Sequence, residues 1–221
     1  PPGLQLSTGD FWGAVVSWIN INLYDQIEAV KVAALTFLLV PVKTFLLGIP
    51  WAWGLVLSAA IAGRIGGWRL GLMGLAFTTF IVTAGLWPQA MITIYLCGVS
   101  VVIAMLIGVP MGILAGQNDR ANAIMTVLID TLQTLPTFVY LIPVVMLFKV
   151  GDFSAMIAVV MYAIVPAIRY AAVGIRGVDS QLVEAGIVSG CTPFQLIWKV
   201  KLPLAMPSIM LGLNQTIMLA L

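Results

Sequence analysis

The chain has 221 residues, 62% of them hydrophobic and only 8% charged, with a net charge of +2 and no histidine. Soluble domains carry roughly 25% charged residues, so this composition excludes a soluble globular protein and marks an integral membrane one. The small net charge gives no electrostatic case for nucleic acid, and the lack of histidine removes imidazole catalysis and histidine metal sites. Long apolar runs favour helices over barrel strands, because a helix satisfies its own backbone hydrogen bonds in lipid. The expected fold is therefore all-α and polytopic.

In chain order, Pro1 to Asn22 is mixed in polarity, with Trp12 and Trp18 among apolar residues, and reads as a tail or an interfacial segment. Tyr24 to Leu47 spaces Asp25, Glu28, Lys31 and Lys43 among Ile27, Val30, Ala34, Leu38 and Leu39, which suits an amphipathic helix at the membrane surface, with a deeper dip over Val32 to Val42 as the alternative. Phe45 to Ala62 is the first expected span and Leu70 to Leu86 the second, joined by the basic turn Arg64-Ile-Gly-Gly-Trp-Arg69. Met91 to Ala115 is the third, with a bend expected at Pro110 between Gly108 and Gly112. Ala121 to Thr134 reads as a helix at or near the membrane surface. Pro136 to Val150 and Ser154 to Tyr170 give the fourth and fifth spans, with kinks expected at Pro143 and Pro166. Cys97 falls in a span and Cys191 in a polar loop, so no disulfide between them is expected.

Lys and Arg concentrate in the loops after the odd-numbered spans: Arg64 and Arg69, then Arg120, then Arg176, Lys199 and Lys201. The alternate loops offer only Lys149, so by the positive-inside rule the former face the cytoplasm and the amino-terminal region lies outside. Lys31 and Lys43 run mildly against that orientation.

The polar stretch from Asp179 to Pro207 stands apart from the rest. Asp179 or Ser180 caps a short helix over Gln181 to Val188, and Gly190 permits a turn at positive φ. Thr192 and Gln195 form a capping box with Pro193 at the first helical position, starting a second short helix that Pro203 and Pro207 are expected to break. The apolar run after Pro203 is shorter than the roughly 20 residues of a span. The last helix is accordingly expected to be cut short, with at least one further span beyond Leu221. Two short capped helices around a glycine suggest a docking element.

Glu184-Ala185-Gly186, Gly190 four residues later, Val200 and Leu202-Pro203 resemble the EAA loop of ABC-importer permeases, with Gly186 in place of the second alanine. The run Asp130 to Phe148 and the tail Asn214 to Leu221 are similar to the glycine betaine/proline-type branch of that family. The resemblance implies the type I importer permease fold. Together with the residue reading above, the expected division is an interfacial or extracytoplasmic segment at 1–44 and an incomplete permease domain at 45–221, with a cytoplasmic coupling loop at 176–203. The resemblance also implies the transport of glycine betaine or a related osmoprotectant (proline betaine, proline, choline or carnitine) across the bacterial inner membrane. The implied partners are a second permease copy, two cytoplasmic ATPase subunits that hold the ATP and Mg, and an extracytoplasmic binding protein, besides the surrounding lipid. Glu184 would hold the loop in the ATPase groove, Gly190 would allow its turn, and Leu202-Pro203 would pass movement into the next span; Ala185 and Gly186 complete the signature.

No Gly-x-x-x-x-Gly-Lys-[Ser/Thr] phosphate loop is present, so this chain is not expected to bind or hydrolyse ATP itself; no catalytic residue, metal site or cofactor is assigned to it. For a translocation path the candidates are Phe138, Tyr140, Tyr162, Asn214 and Gln215. Aromatic faces attract quaternary ammonium, and amides inside a span need partners. Packing aromatics and interhelical amide contacts are the competing readings, and Tyr170 shares the first. Arg169 and Arg176 read as snorkelling side chains, with a salt bridge to Glu184 or the ATPase as the alternative. Two rival functions remain. An ion-coupled secondary transporter needs acidic groups within its spans, which the sequence lacks unless the helix bearing Asp130 enters the membrane. A non-transporting membrane scaffold would keep the docking loop without a polar path.

Overall fold

The computed structural model describes residues 13–14, 17–19 and 21–221, all helical or in the connections between helices. Most of the expected amino-terminal tail, including Trp12, lies outside the described residues. Two compact units are distinguished, Tyr24–Leu96 and Cys97–Leu221, the latter taking in the described residues before Tyr24.

In the unit Tyr24–Leu96, helix α1 spans Tyr24–Leu47 and passes through a π-helical stretch at Leu35–Leu39. It is long and apolar enough to cross a membrane, whereas its charge spacing suggested a surface helix. The charges gather in its first turns, where Lys31 pairs with Glu28 at 3.2 Å. Lys43, near its other end, lies 5.9 Å from the centre of the Tyr95 ring. The boundary expected between residues 44 and 45 falls inside this helix, and the chain breaks instead at Gly48-Ile49-Pro50.

Helix α2, Trp51–Thr83, doubles back on itself at Gly66 (φ −125°) and Gly67 (φ 79°), inside the basic turn expected from the sequence. The Ser58 and Thr78 hydroxyls meet at 2.9 Å, although a straight helix would separate residues 20 apart by about 30 Å. Small residues let the two arms close: a Cβ on Gly71 would sit 3.1 Å from the Ala59 carbonyl oxygen, and one on Gly74 3.1 Å from that of Ser58. Each arm is about 15 residues, roughly 23 Å, so the pair forms a short hairpin.

Helix α3, Trp87–Gln117, contains Pro110 without interruption. In the unit that includes Cys97–Leu221 it packs on α6, Asp152–Arg176, which supplies most of the buried residues there. Gly108, Gly112 and Gly116 lie one turn apart and face α6. A Cβ on them would come within 2.7 Å of Ala167, 2.6 Å of Ala171 and 2.7 Å of Ile175, respectively. Such small-residue seams bring helix backbones together where no hydrophobic gain from lipid exists.

Helix α4, Asp119–Thr134, is capped by the Asn118 side chain, and α5 is Thr137–Phe148. Between them Leu135 is extended, ψ 135°, as a residue before proline must be, and the axes bend by 93°. The Tyr140 hydroxyl donates to the Leu132 carbonyl across this bend. Helix α7 is Ser180–Val188 and α8 is Pro193–Ala220.

The expected break at Pro203 does not occur. After Pro193–Gln195 the chain changes to π-type bonding at Leu196–Lys201 and resumes α-helix at Leu202. Pro203 thus falls in the first turn of the new register, where a missing amide costs little. Because α8 begins at Pro193, it reaches 28 residues and is long enough to span a membrane. It packs on α6 through Gly174 against Ser208 and Gly212 against Tyr170, with Ala163 and Ala220 in one buried cluster.

Among the described residues α1, α2, α3, α6 and α8 meet the length and polarity required of a span, although α2 is folded, and α4 with α5 meets it as a bent pair. The chain is an all-α, multi-pass membrane protein.

Candidate functional site

The loop between α6 and α8 is held by three separate capping devices. Asp179 accepts a hydrogen bond from the Gln181 amide at 2.9 Å and starts α7. At the other end the Gly190 amide bonds to the Ile187 carbonyl at 2.9 Å and the Cys191 amide to that of Gly186 at 3.1 Å. These two bonds form a Schellman motif, which requires a left-handed residue at its corner, and Gly190 provides it with φ 81°. Two residues on, the Thr192 hydroxyl accepts from the Gln195 amide at 3.3 Å while the Gln195 side chain accepts from the Thr192 amide at 3.0 Å. Little freedom remains between the two helices.

Gly186 is buried, and a Cβ there would lie 2.8 Å from Leu196 Cδ1 and 3.3 Å from Val200 Cγ2. The glycine at the signature's second alanine therefore seats α7 against the π-helical turn of α8. Leu202 packs on the cluster of Ala171, Ile175, Ala205 and Ile209, formed by α6 and α8. The signature residues thus divide in two. Gly186, Gly190 and Leu202 set the loop's shape and its link to the helices, while Glu184, Ala185 and Pro203 are exposed.

Glu184 borders a polar crevice of about 390 Å³ together with Gln117, Asp119, Arg176 and Lys201. The expected alternative of a bridge from Arg169 or Arg176 to Glu184 is not formed. Arg176 pairs with Asp119 at 2.6 Å, and Arg169 with Asp130 at 2.6 Å. Both acids lie on α4, three turns apart, so the two arginines fasten that helix to α6. Between the two pairs lies a cavity of about 520 Å³ into which Asn122, Thr126 and Ile129 of α4 and Ala172 of α6 project. Sequence spacing gave no sign of these contacts, since the partners are 57 and 39 residues apart. A second unforeseen feature is the exposed pair Phe194 and Trp198, ring centres 5.9 Å apart, on the loop side of α8. Their spacing of four residues was the available signal.

The candidate path residues do not form one group. Phe138 and Tyr162 line a common cavity of about 290 Å³ with Leu141, Val159 and Leu219. Tyr140 points inward, buried and bonded to the Leu132 carbonyl. Asn214 is exposed on α8 and Gln215 half-buried, and neither borders that cavity. Thr216, beside them, is fully buried with its hydroxyl unbonded.

Comparison with known proteins gives one family profile, described as binding-protein-dependent transport system inner membrane component, matching residues 108–221. Among curated proteins, a trimethylamine N-oxide transport system permease protein of Pelagibacter ubique is 39% identical over 221 residues, 100% of this chain and 31% of that protein. A glycine betaine/proline betaine transport system permease protein of Escherichia coli is 37% identical over 206 residues, 93% of this chain and 58% of its own length. A glycine betaine transport system permease protein of Bacillus subtilis is 34% identical over 98% of this chain and 77% of its own. The chain therefore spans less than two thirds of the first two relatives.

Proposed function

The chain belongs to the binding-protein-dependent transport system inner membrane component family, and from that premise we propose that it is the permease of an ATP-driven importer for glycine betaine or a related osmoprotectant. The observation that carries this reading is the loop from Asp179 to Pro203. It is stiffened by the Schellman turn at Gly190 and the Thr192–Gln195 capping box, and is joined without a break to the membrane helix α8. A stiff loop transmits force; a tether would not.

In this mechanism the loop faces the cytoplasm, in keeping with the basic residues Arg176, Lys199 and Lys201 around it. Two ATPase subunits bind ATP and Mg, and each receives one loop of a permease pair. Glu184 and the exposed Phe194 and Trp198 meet the ATPase, and the Gly190 turn keeps α7 at a fixed angle. When the ATPases close, α7 pushes through Gly186 on Leu196 and Val200. The displacement then reaches α6 through Leu202 and its cluster with Ala171 and Ile175. Packed helix interfaces move between discrete arrangements, which is what alternating access requires. A binding protein delivers the solute from outside, and Phe138, Tyr162, Asn214 and Gln215 are the groups proposed along its path.

The named solutes of the relatives, trimethylamine N-oxide and glycine betaine, share a fully substituted nitrogen with formal positive charge. That chemistry suits passage over aromatic faces rather than hydrogen-bond donation. Pairing of Asp130 with Arg169 leaves that carboxylate neutralised, which does not favour a proton- or sodium-coupled carrier.

The test is uptake of labelled glycine betaine by proteoliposomes holding the full-length protein with its ATPase. Uptake that needs both ATP and the binding protein supports the importer. Uptake driven by an ion gradient alone, or none from a complex with active ATPase across the N-methylated solutes, overturns it.

A further inference from the structure

Thr216 of α8 is fully buried, and its hydroxyl has no hydrogen-bond partner. A threonine inside a helix commonly donates to the carbonyl four residues back. Thr78, Thr79, Thr93 and Thr131 of this chain do so, at 2.9, 2.8, 3.0 and 2.8 Å. Thr216 makes no such bond to Gly212.

The packing of α8 on α6 fixes what this hydroxyl faces. Gly174 meets Ala205 and Ser208, Gly212 meets Tyr170 and the Pro166 carbonyl, and Ala163 shares a buried cluster with Ala220. Numbers that rise along α8 fall along α6, so the two helices run antiparallel. Thr216 lies one turn from both Gly212 and Ala220, and hence level with the α6 turn from Tyr162 to Pro166. That turn is short of a hydrogen bond. Pro166 is buried within α6 and has no amide, so the Tyr162 carbonyl is left without its α-helical donor. A donor without an acceptor and an acceptor without its donor thus occupy one layer of the α6–α8 interface.

We propose that Thr216 and the Tyr162 carbonyl are two halves of a latch, open in this structure and closed when α8 shifts against α6 during transport. The idea rests on the importer reading above. In an apolar interior an unpaired polar group is costly, so a bond made in only one arrangement of the two helices shifts the balance toward that arrangement. Hydrogen bonds between spans hold them together, and the broken turn at a proline is where a helix bends. The latch also adjoins the candidate path. The Tyr162 side chain lines the cavity that it shares with Phe138 and Leu219, and Leu219 follows Thr216 by three residues. Closing the latch therefore acts on the wall of that cavity, and Thr216 is a positioning residue.

Thr216→Val keeps the shape of the side chain and removes the hydroxyl. In proteoliposomes holding the full-length protein with its ATPase and binding protein, it should lower ATP-driven glycine betaine uptake several-fold at unchanged membrane abundance. Thr216→Ser should retain most of the uptake. Pro166→Ala gives the Tyr162 carbonyl an amide, so it too should lower uptake several-fold, and Thr216→Val should add no further loss in that background. Undiminished uptake by either single variant, or losses that multiply, overturns the latch. A second readout needs no transport. In nucleotide-free protein in detergent, Thr216→Val should raise Tm by about 2–4 °C, because a buried unpaired hydroxyl is removed. An unchanged or lowered Tm means that the hydroxyl is already bonded, and equally overturns the proposal. If the wild type takes up no solute, the importer reading fails by itself, and the Tm of the valine variant still decides the latch.

Discussion

Arg169 of α6 and Asp130 of α4 meet at 2.6 Å, Nη2 to Oδ1, and the same guanidinium donates to Gln133 Oε1 at 2.9 Å. Seven residues on, Arg176 repeats the arrangement with Asp119. Both side chains are about half-exposed, and an exposed pair contributes at most about 1 kcal/mol. Arg169→Met and Asp130→Asn should each lower unfolding stability in detergent, with a coupling of up to about 1 kcal/mol in the double-mutant cycle. Strictly additive losses would mean that the pair does not hold α4.

The α3–α6 seam predicts opposite results for two glycines of α3. Gly112 has the Ile168 carbonyl oxygen and, at 2.6 Å, Ala171 Cβ where its own Cβ would be; Gly98 has nothing within 4 Å. Gly112→Ala should destabilise by about 1–3 kcal/mol through overpacking. Gly98→Ala should be neutral or stabilise by up to about 1 kcal/mol from helix propensity. Thermal unfolding of the two variants side by side checks this, and equal effects would contradict it.

At Gly190, φ is 81° with open space around it, so within the protein a substitution there acts through backbone strain and not through a steric clash. Gly190→Val should insert normally yet reduce ATP-driven uptake several-fold, whereas Gly190→Asn, which tolerates the left-handed region, should retain most of it. Gly190→Asp should also fall below Asn, since it adds charge at the proposed ATPase contact. Uptake and membrane abundance measured together decide it; an unimpaired valine variant would remove the role assigned to the turn.

Gly186 carries a graded expectation. The nearest obstacle to a Cβ is the mobile end of Leu196, with Val200 behind it at 3.3 Å. Gly186→Ala should therefore cost under about 1 kcal/mol, and Gly186→Leu about 1–3 kcal/mol together with loss of coupling. Comparable uptake from both variants would show that α7 does not work against α8.

Tyr140→Phe distinguishes an anchor from a path residue. Losing the bond to the Leu132 carbonyl should cost about 1 kcal/mol of stability while leaving the apparent KM for solute unchanged. A raised KM at unchanged stability would return Tyr140 to the path.

The sequence by itself determined that this is a helical membrane protein, because 62% hydrophobic content with 8% charge permits little else. It also located the basic turn of the α2 hairpin and the caps of the α6–α8 loop. Hairpin turns and caps are local chemistry: positive φ at a glycine, or a hydroxyl and an amide three residues apart, needs no distant partner. The tertiary structure alone decided three further matters. Helix α8 runs through Pro203, since a shift to π bonding moves the proline to a first turn, and no residue pattern announces that shift. Tyr140 turns inward, because a carbonyl at Leu132 is available only after the chain bends at Pro136. Arg169 and Arg176 fasten α4 instead of reaching lipid headgroups or Glu184, since ion pairs across dozens of residues are set by how helices pack, and periodicity along one helix does not record its neighbours.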